Sequence, residues 1–196
     1  MKKLNKNSEE SLISESVKVW GDHIYFYGDV NDKSCMDLNI ALQHLSIELS
    51  TNMLSTMHEV NPPQPIWLHI NSFGGGLMDG FAISDTINRI KEMVPVVTIV
   101  EGCAMSAGSI ISTSGSKRLM RAKSVMLIHQ LSGGMWGKYE DMKQDVKNMD
   151  LLMKIMSDHY LSTTKITKEK LEEMLKRDIF LDAKTCLKLG LIDQII

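Results

Sequence analysis

Apolar residues fall along this chain in two rhythms. Short runs rich in β-branched and aromatic residues are closed by polar or glycine-bearing turns: Ile24-Tyr25-Phe26-Tyr27, Ile66-Trp67-Leu68-His69-Ile70, Val96-Val97-Thr98-Ile99-Val100 and Ser124-Val125-Met126-Leu127-Ile128-His129. Such runs read as strands. Between them the apolar positions step by three and four. Over residues 37 to about 57, Leu38, Ala41, Leu42, Leu45, Leu49 and Met53 share one helical face, and Asn61-Pro62-Pro63-Gln64-Pro65 breaks the helix. A helix over 78–93 carries Phe81, Ile83, Ile87 and Ile90, and a long one over 139–160 carries Met142, Val146, Met149, Leu152, Met153 and Met156. Shorter helices follow over 168–176, after Thr167, and over 183–189, with Asp182 as N-cap and Gly190 as C-cap. Strands alternating with helices predict an α/β domain with a mostly parallel sheet. Residues 1–16 are polar and without period, which predicts a mobile arm or processed leader ahead of a single domain over 17–196.

Composition narrows the function classes. A length of 196 residues, 43% hydrophobic and 23% charged, suits one soluble domain with a real core, or such a domain plus a small appendage. A net charge of −2 gives no reason to expect a nucleic-acid partner. No apolar run is long enough to cross a bilayer, and the lysines near the N-terminus are followed by polar residues, unlike a secretory signal. Cys35, Cys103 and Cys186 are odd in number and widely spaced, which fits a reducing, cytoplasmic setting and predicts no metal site. The fifteen methionines read as core filling.

Four places carry candidate chemistry. Gly102-Cys103-Ala104-Met105-Ser106-Ala107-Gly108 follows a strand and precedes a small-residue, apolar segment. A serine at such a turn is open to an approaching carbonyl, and the N–H of Ala107 can stabilise an oxyanion. Asn71-Ser72-Phe73-Gly74-Gly75-Gly76 reads either as a tight turn or as a row of backbone donors for an oxyanion or an extended peptide. His129 closes a strand at a sheet edge, where a histidine is either a packed residue or a base. The other histidines are weaker candidates: His23, His44, His58 and His159 read as exposed or helical, and His69 as packed within its strand. Asp178 ends the 168–176 helix, where a negative charge meets the unfavourable end of the dipole; it has either a cationic partner such as Arg177 or a role in the site.

Taken in order, these pieces resemble the ClpP family of self-compartmentalising serine peptidases. The resemblance runs from Ile24 to the C-terminus. It includes Ile70-Asn71-Ser72-x-Gly74-Gly75, Gly80-x-Ala82-Ile83-x-Asp85-Thr86, Gly102-x-Ala104-x-Ser106-x-Gly108, Met126-x-Ile128-His129-Gln130, Gly133-Gly134, Arg177-Asp178-x-Phe180 and Gly190-Leu191-Ile192-Asp193. It implies a crotonase-like α/β fold with a protruding handle helix. It also implies a triad of Ser106, His129 and Asp178, and an oxyanion hole of the Gly75 and Ala107 N–H groups. Gly74, Gly76, Gln130 and Leu131 would hold an extended polypeptide substrate by β-pairing. The family implies two stacked heptameric rings of identical chains, joined by the 139–160 helix and fed by a hexameric AAA+ unfoldase of the ClpX or ClpA type. ATP would belong to that partner, since this chain has no nucleotide motif, and no cofactor, metal, nucleic acid or membrane is implied.

The chain departs from the family pattern at Phe73 and Leu131, where proline is usual. Lys176 stands where an acidic residue commonly pairs across the rings, and the stretch between Ser106 and His129 is slightly short. The alternatives are a non-catalytic ring subunit, a viral capsid-maturation protease of related fold working in a host cytoplasm, or acyl-CoA chemistry of the crotonase class, against which a serine nucleophile speaks.

Overall fold

The computed structural model describes residues 14–55, 64–134 and 136–196. The chain order is β1 (Val17–Trp20), β2 (His23–Tyr27), α1 (Asp32–Ser55), β3 (Ile66–Ser72), α2 (Leu77–Ile90), β4 (Val96–Met105), α3 (Ala107–Thr113), β5 (Lys117–Met120), β6 (Val125–Leu127), α4 (Tyr139–Thr163), α5 (Lys168–Met174), β7 (Leu181–Asp182), α6 (Ala183–Leu189) and β8 (Gln194–Ile195). The sheet runs β1-β2-β3-β4-β5-β8, with β6 and then β7 branching from the far end of β4. Among the described residues only the β1–β2 and β6–β7 pairs are antiparallel.

Period-two alternation sends Ile24, Phe26, Leu68, Ile70, Val96 and Val100 into the main core. There they meet Leu38, Ala41, Leu42 and Leu45 of α1, Ile83 and Ile87 of α2, and Ile110 and Ile111 of α3. Burying each of the Val, Leu, Ile and Phe side chains among these contributes about 1.5–3 kcal/mol. On the opposite face Val97, Ile99 and Leu119 form a small second cluster with Trp67. The centre of β4 is therefore buried on both sides.

The strand that leads to Ser106 is longer than its apolar run predicts. It does not stop at Val100 but crosses Gly102 and continues to Met105. Ile70 pairs with Val100, yet Ser72 pairs with Ala104, so β3 advances two residues while β4 advances four. This is a bulge. The side chain of Asn71 supplies what the ladder loses: its Oδ1 accepts the Cys103 N–H at 3.2 Å. Ser124 Oγ accepts the Gly102 N–H at 2.9 Å and donates to Val100 O at 3.1 Å. Gly102 has φ +83°, and a Cβ there would come within 2.7 Å of Asn71 Oδ1, so the bulge requires glycine. Beyond it β4 leaves β5 and pairs with β6 through Cys103, Ala104 and Met105.

Several expected boundaries shift for identifiable reasons. Helix α1 starts at Asp32, five residues before the apolar pattern begins, because Asn31 and Ser34 cap it reciprocally. Asn31 Oδ1 accepts the Ser34 N–H at 2.9 Å, and Ser34 Oγ accepts the Asn31 N–H at 3.0 Å. The expected end of that helix near residue 57 and most of the proline segment lie outside the described residues, as does the arm up to residue 13. Four short strands, β1, β5, β7 and β8, had no apolar run long enough to announce them. Helix α5 stops at Met174, so Asp178 lies beyond the helix end in an irregular segment, not at its dipole. Asp182 and Gly190 do cap α6: Asp182 accepts the Thr185 N–H at 2.8 Å, and Gly190 adopts φ +69°.

Helix α4 is anchored at one end only. Met156 and Tyr160 are its buried residues, while Met142, Val146, Leu151 and Ile155 face solvent. The methionines divide similarly: Met105, Met120, Met126 and Met156 fill the core, whereas Met36, Met78 and Met93 do not. No helix among the described residues is long and apolar enough to cross a membrane.

Candidate active site

Where β4 ends, Ser106 has φ +52° and ψ −124°, the only positive φ outside glycine among the described residues. That conformation is costly for a residue with a Cβ and persists only where its surroundings hold it. The Ser106 N–H donates to Leu127 O at 2.9 Å, and its carbonyl accepts the Ser109 N–H at 2.9 Å. The strained turn throws the half-buried hydroxyl clear of the sheet at the start of α3. Ala107 is the first residue of that helix, so its N–H has no intrahelical acceptor.

The glycine run after β3 lies directly against this turn. Val30 bridges to Gly75, donating to Gly74 O and accepting from Gly76 N at 2.8 Å each. That pattern leaves the Gly75 N–H, like that of Ala107, without a protein acceptor among the described residues. Gly74, at φ +96°, touches the serine turn so closely that a Cβ would fall 2.6 Å from Met105 O and from Ser106 Cβ. The two readings of the glycine run thus coincide: it is a tight turn, and it presents a free donor.

One cleft of about 260 Å³ is lined by Gly75, Gly76, Leu77, Ser106, Ala107, His129, Gln130, Leu131, Ser132, Met156 and Tyr160. Seven of the residues singled out from sequence therefore share it. Gly74 lies behind its wall, and Asp178 lies outside. Asp178 approaches the far side of the histidine ring, its Oδ1 3.8 Å from His129 Nδ1, with side chains 76% and 21% exposed respectively. That separation is ion-pair reach, longer than a hydrogen bond. Asp178 makes no ion pair with Arg177 or any lysine among the described residues; His129 is its charged neighbour. No hydrogen bond among the described residues joins Ser106 Oγ to the His129 ring. The His129 segment is tied down by Gln130 N–H to Leu175 O at 3.1 Å, and by Leu131 N–H to Met153 Sδ at 3.2 Å.

Sequence patterning missed Leu77, Ser132, Met156 and Tyr160 as cleft walls. Met156 and Tyr160 stand one helical turn apart on α4, a spacing that reads equally well as core. The other histidines have different surroundings. His69 is packed, as expected, but in a polar chain: its Nε2 lies 2.9 Å from His23 Nδ1 and its Nδ1 3.2 Å from Glu101 Oε1. Burial holds His69 below its ordinary pKa despite Glu101. Burial raises the Glu101 carboxyl, but hydrogen bonds from Tyr27, Arg121 and His69 outweigh it and hold Glu101 below its ordinary range. His159 is on a helix, as expected, and half-buried, with Nε2 2.7 Å from Thr113 Oγ1. Among the described residues no group of three or more His, Cys, Asp or Glu is placed to hold a metal ion.

The arrangement offers a hydroxyl on a strained elbow, two free amide donors beside it, and an imidazole across the same cleft with a carboxylate behind. Chemically this suits nucleophilic attack on a carbonyl with oxyanion stabilisation.

Comparison with known sequences follows the same lines. The sequence model of the Clp protease family matches residues 22–196. Over 138 residues the chain is 40% identical to the ATP-dependent Clp protease proteolytic subunit of Deinococcus radiodurans, covering 69% of this chain and 67% of that one. Over 139 residues it is 42% identical to the ATP-dependent Clp protease proteolytic subunit of Streptococcus mutans, covering 67% of this chain and 68% of that one.

Proposed function

The chain belongs to the Clp protease family, and on that premise we propose that it is a serine endopeptidase that cleaves unfolded polypeptides inside a closed ring assembly fed by an AAA+ unfoldase. Ser106 Oγ attacks the scissile carbonyl. His129 takes the proton and returns it to the leaving amine, and Asp178 orients the imidazole and stabilises its charged form. The N–H groups of Gly75 and Ala107 hold the oxyanion. The carbonyls of Gln130 and Leu131 pair with an extended substrate, so recognition is largely independent of side chains, whereas the backbone groups of Gly74 and Gly76 are taken up by Val30, Ser72 and Gly80 and do not serve that role. Water then releases the acyl group by the same base. ATP is spent by the partner, and this chain binds no cofactor.

One observation carries the reading: the strained Ser106 elbow and two unpaired amide donors meet in the cleft that also holds His129. The exposed apolar residues of α4, Met142, Val146, Leu151 and Ile155, support a second, intermolecular contact for that helix, as between stacked heptameric rings.

The long His129–Asp178 separation favours one competitor, a ring subunit that does not itself cleave. A fluorophosphonate probe decides between them. The expected result is covalent labelling confined to Ser106, with Ser106→Ala folding normally and losing peptide cleavage by about 10⁴-fold or more. An assembled, folded chain that neither labels nor cleaves a small fluorogenic peptide overturns the catalytic reading. Native mass measurement, with and without an unfoldase of the ClpX or ClpA type, tests the assembly.

A further inference from the structure

We propose that Tyr160 on α4 is a positioning residue for the oxyanion hole, acting through Ser109 on the peptide plane between Ser106 and Ala107. The inference rests on Ser106 being the nucleophile and on Ala107 supplying an oxyanion donor.

The geometry is a directed chain of hydrogen bonds. Ser109 Oγ donates to Ser106 O at 2.7 Å and lies 2.7 Å from Tyr160 Oη. A serine hydroxyl has one proton. Since that proton goes to Ser106 O, the tyrosine must be the donor in the second contact. Tyr160 is 1% exposed and Ser109 fully buried, so water does not compete for either group. Burial pushes the Tyr160 phenol far above its ordinary range, only partly offset by the bond to Ser109, so it keeps its proton and remains a donor.

The consequence follows from the planarity of the peptide bond. The Ser106 carbonyl and the Ala107 N–H belong to one trans peptide unit and point in opposite directions. Fixing the carbonyl therefore fixes the direction of the N–H. The Ser106 carbonyl receives two bonds from Ser109, one from its N–H and one from its hydroxyl. The N–H bond comes with the helix turn. The hydroxyl bond is adjustable, and Tyr160 sets it. Without Tyr160 the hydroxyl is free to rotate, and the plane loses a restraint at a strained φ.

Tyr160 and Met156 are also the buried residues by which α4 is anchored to the domain, and both line the cleft. The point where the long helix is held is thus the point where it touches the elbow. A displacement of α4 transmits to the Ala107 N–H through two hydrogen bonds.

An amide donor aimed at the oxyanion acts on the transition state and little on bound substrate. Removing such a donor outright costs about 10²–10³ in kcat; loosening one costs less, about tenfold. The experiment compares wild type, Tyr160→Phe, Ser109→Ala and the double variant for kcat, KM, thermal midpoint and affinity for a peptide boronate, whose tetrahedral adduct carries the oxyanion. Expected is a roughly tenfold fall in kcat with KM unchanged, a parallel loss of boronate affinity, and no additional loss when Tyr160→Phe is placed on Ser109→Ala. Should Tyr160→Phe fail to fold, Ser109→Ala carries the same expectation alone. A folded Tyr160→Phe with wild-type kcat and boronate affinity overturns the inference, as does an equal loss in both backgrounds. If wild type itself does not react at Ser106, the parent reading falls as well, which separates the two failures.

Discussion

The two ends of the candidate triad are built differently. At the serine end every group is fixed within the chain: the bulge at Gly102, the Val30–Gly75 bridge and the bonds from Ser109 to the Ser106 carbonyl are all hydrogen-bonded contacts between the chain's own segments. At the acid end Asp178 sits in an irregular, exposed segment, 3.8 Å from His129. Its neighbours Ile179 and Phe180 also face solvent. Beside it opens a groove of about 320 Å³, walled largely by Ile128, Met174, Ile179, Leu181 and Leu189. The proposed nucleophile and oxyanion donors are thus preorganised within the chain, whereas the proposed orienting carboxylate is left where contacts from outside the chain can set it. An exposed apolar pair next to the proposed acid fits the contact between chains that the proposed assembly would supply.

The largest effect expected from this contrast is catalytic and comes from the exposed end. Asp178→Asn keeps the shape of the side chain and removes the charge that stabilises the imidazolium. Peptide cleavage is expected to fall by about 10³-fold or more. Stability should stay within about 0.5 kcal/mol of wild type, because the side chain is 76% exposed and unpaired except to His129. Steady-state cleavage with parallel urea unfolding measures both. Wild-type cleavage by the variant would remove Asp178 from the site.

At the serine end the expected effect is on stability first. Gly74→Ala places a methyl group 2.6 Å from Met105 O and Ser106 Cβ at φ +96°. Neither contact is the end of a flexible side chain, so the backbone must shift. A cost of about 3 kcal/mol is expected, with cleavage falling as the elbow moves. A cost below about 1 kcal/mol with normal cleavage would show that the serine end is not the rigid one.

The contrast also explains what could be read from sequence. The elbow was legible because its geometry is local: small residues flanking Ser106 and glycines at positions of positive φ serve one turn each. The caps of α6 were legible for the same reason. The length of β4 was not, because its continuation past Val100 depends on Asn71 and Ser124, side chains from two other segments that supply ladder bonds. The start of α1 was legible in principle through the Asn31-x-x-Ser34 pair, but the apolar pattern begins later and drew the boundary with it. The apolar pattern puts Asp178 at the end of a helix that stops at Met174. Its motif proposes it for the site, whereas its surroundings depend on contacts no local pattern encodes. Ser109 and Tyr160 are far apart in sequence, and nothing in either neighbourhood signals a hydroxyl pair.

The smallest expected effect tests whether the serine end owes its rigidity to buried neutral groups. His159 precedes Tyr160 on α4, and its Nε2 lies 2.7 Å from Thr113 Oγ1 of α3. Burial, and then the nearby Lys91 charge, lower its pKa from the ordinary 6.5 to about 4, against a smaller opposing bond to the Ile110 backbone. In the unfolded chain the ring takes a proton as pH falls through about 6.5, whereas in the folded chain it does so only near 4. Between those values the unfolded state binds more protons, so stability falls as pH falls. Carried from neutrality to pH 5, this amounts to about 2 kcal/mol. His159→Asn removes the titration, so its urea midpoint should change less between pH 7 and pH 5 than that of wild type. The exposed end has no comparable buried base, so the acid-sensitive difference should appear in protection of α3 and α4 amides from hydrogen exchange and not in the Asp178 segment. Equal acid sensitivity in wild type and variant would mean that His159 is not neutral by burial, and that the serine end is held by packing alone.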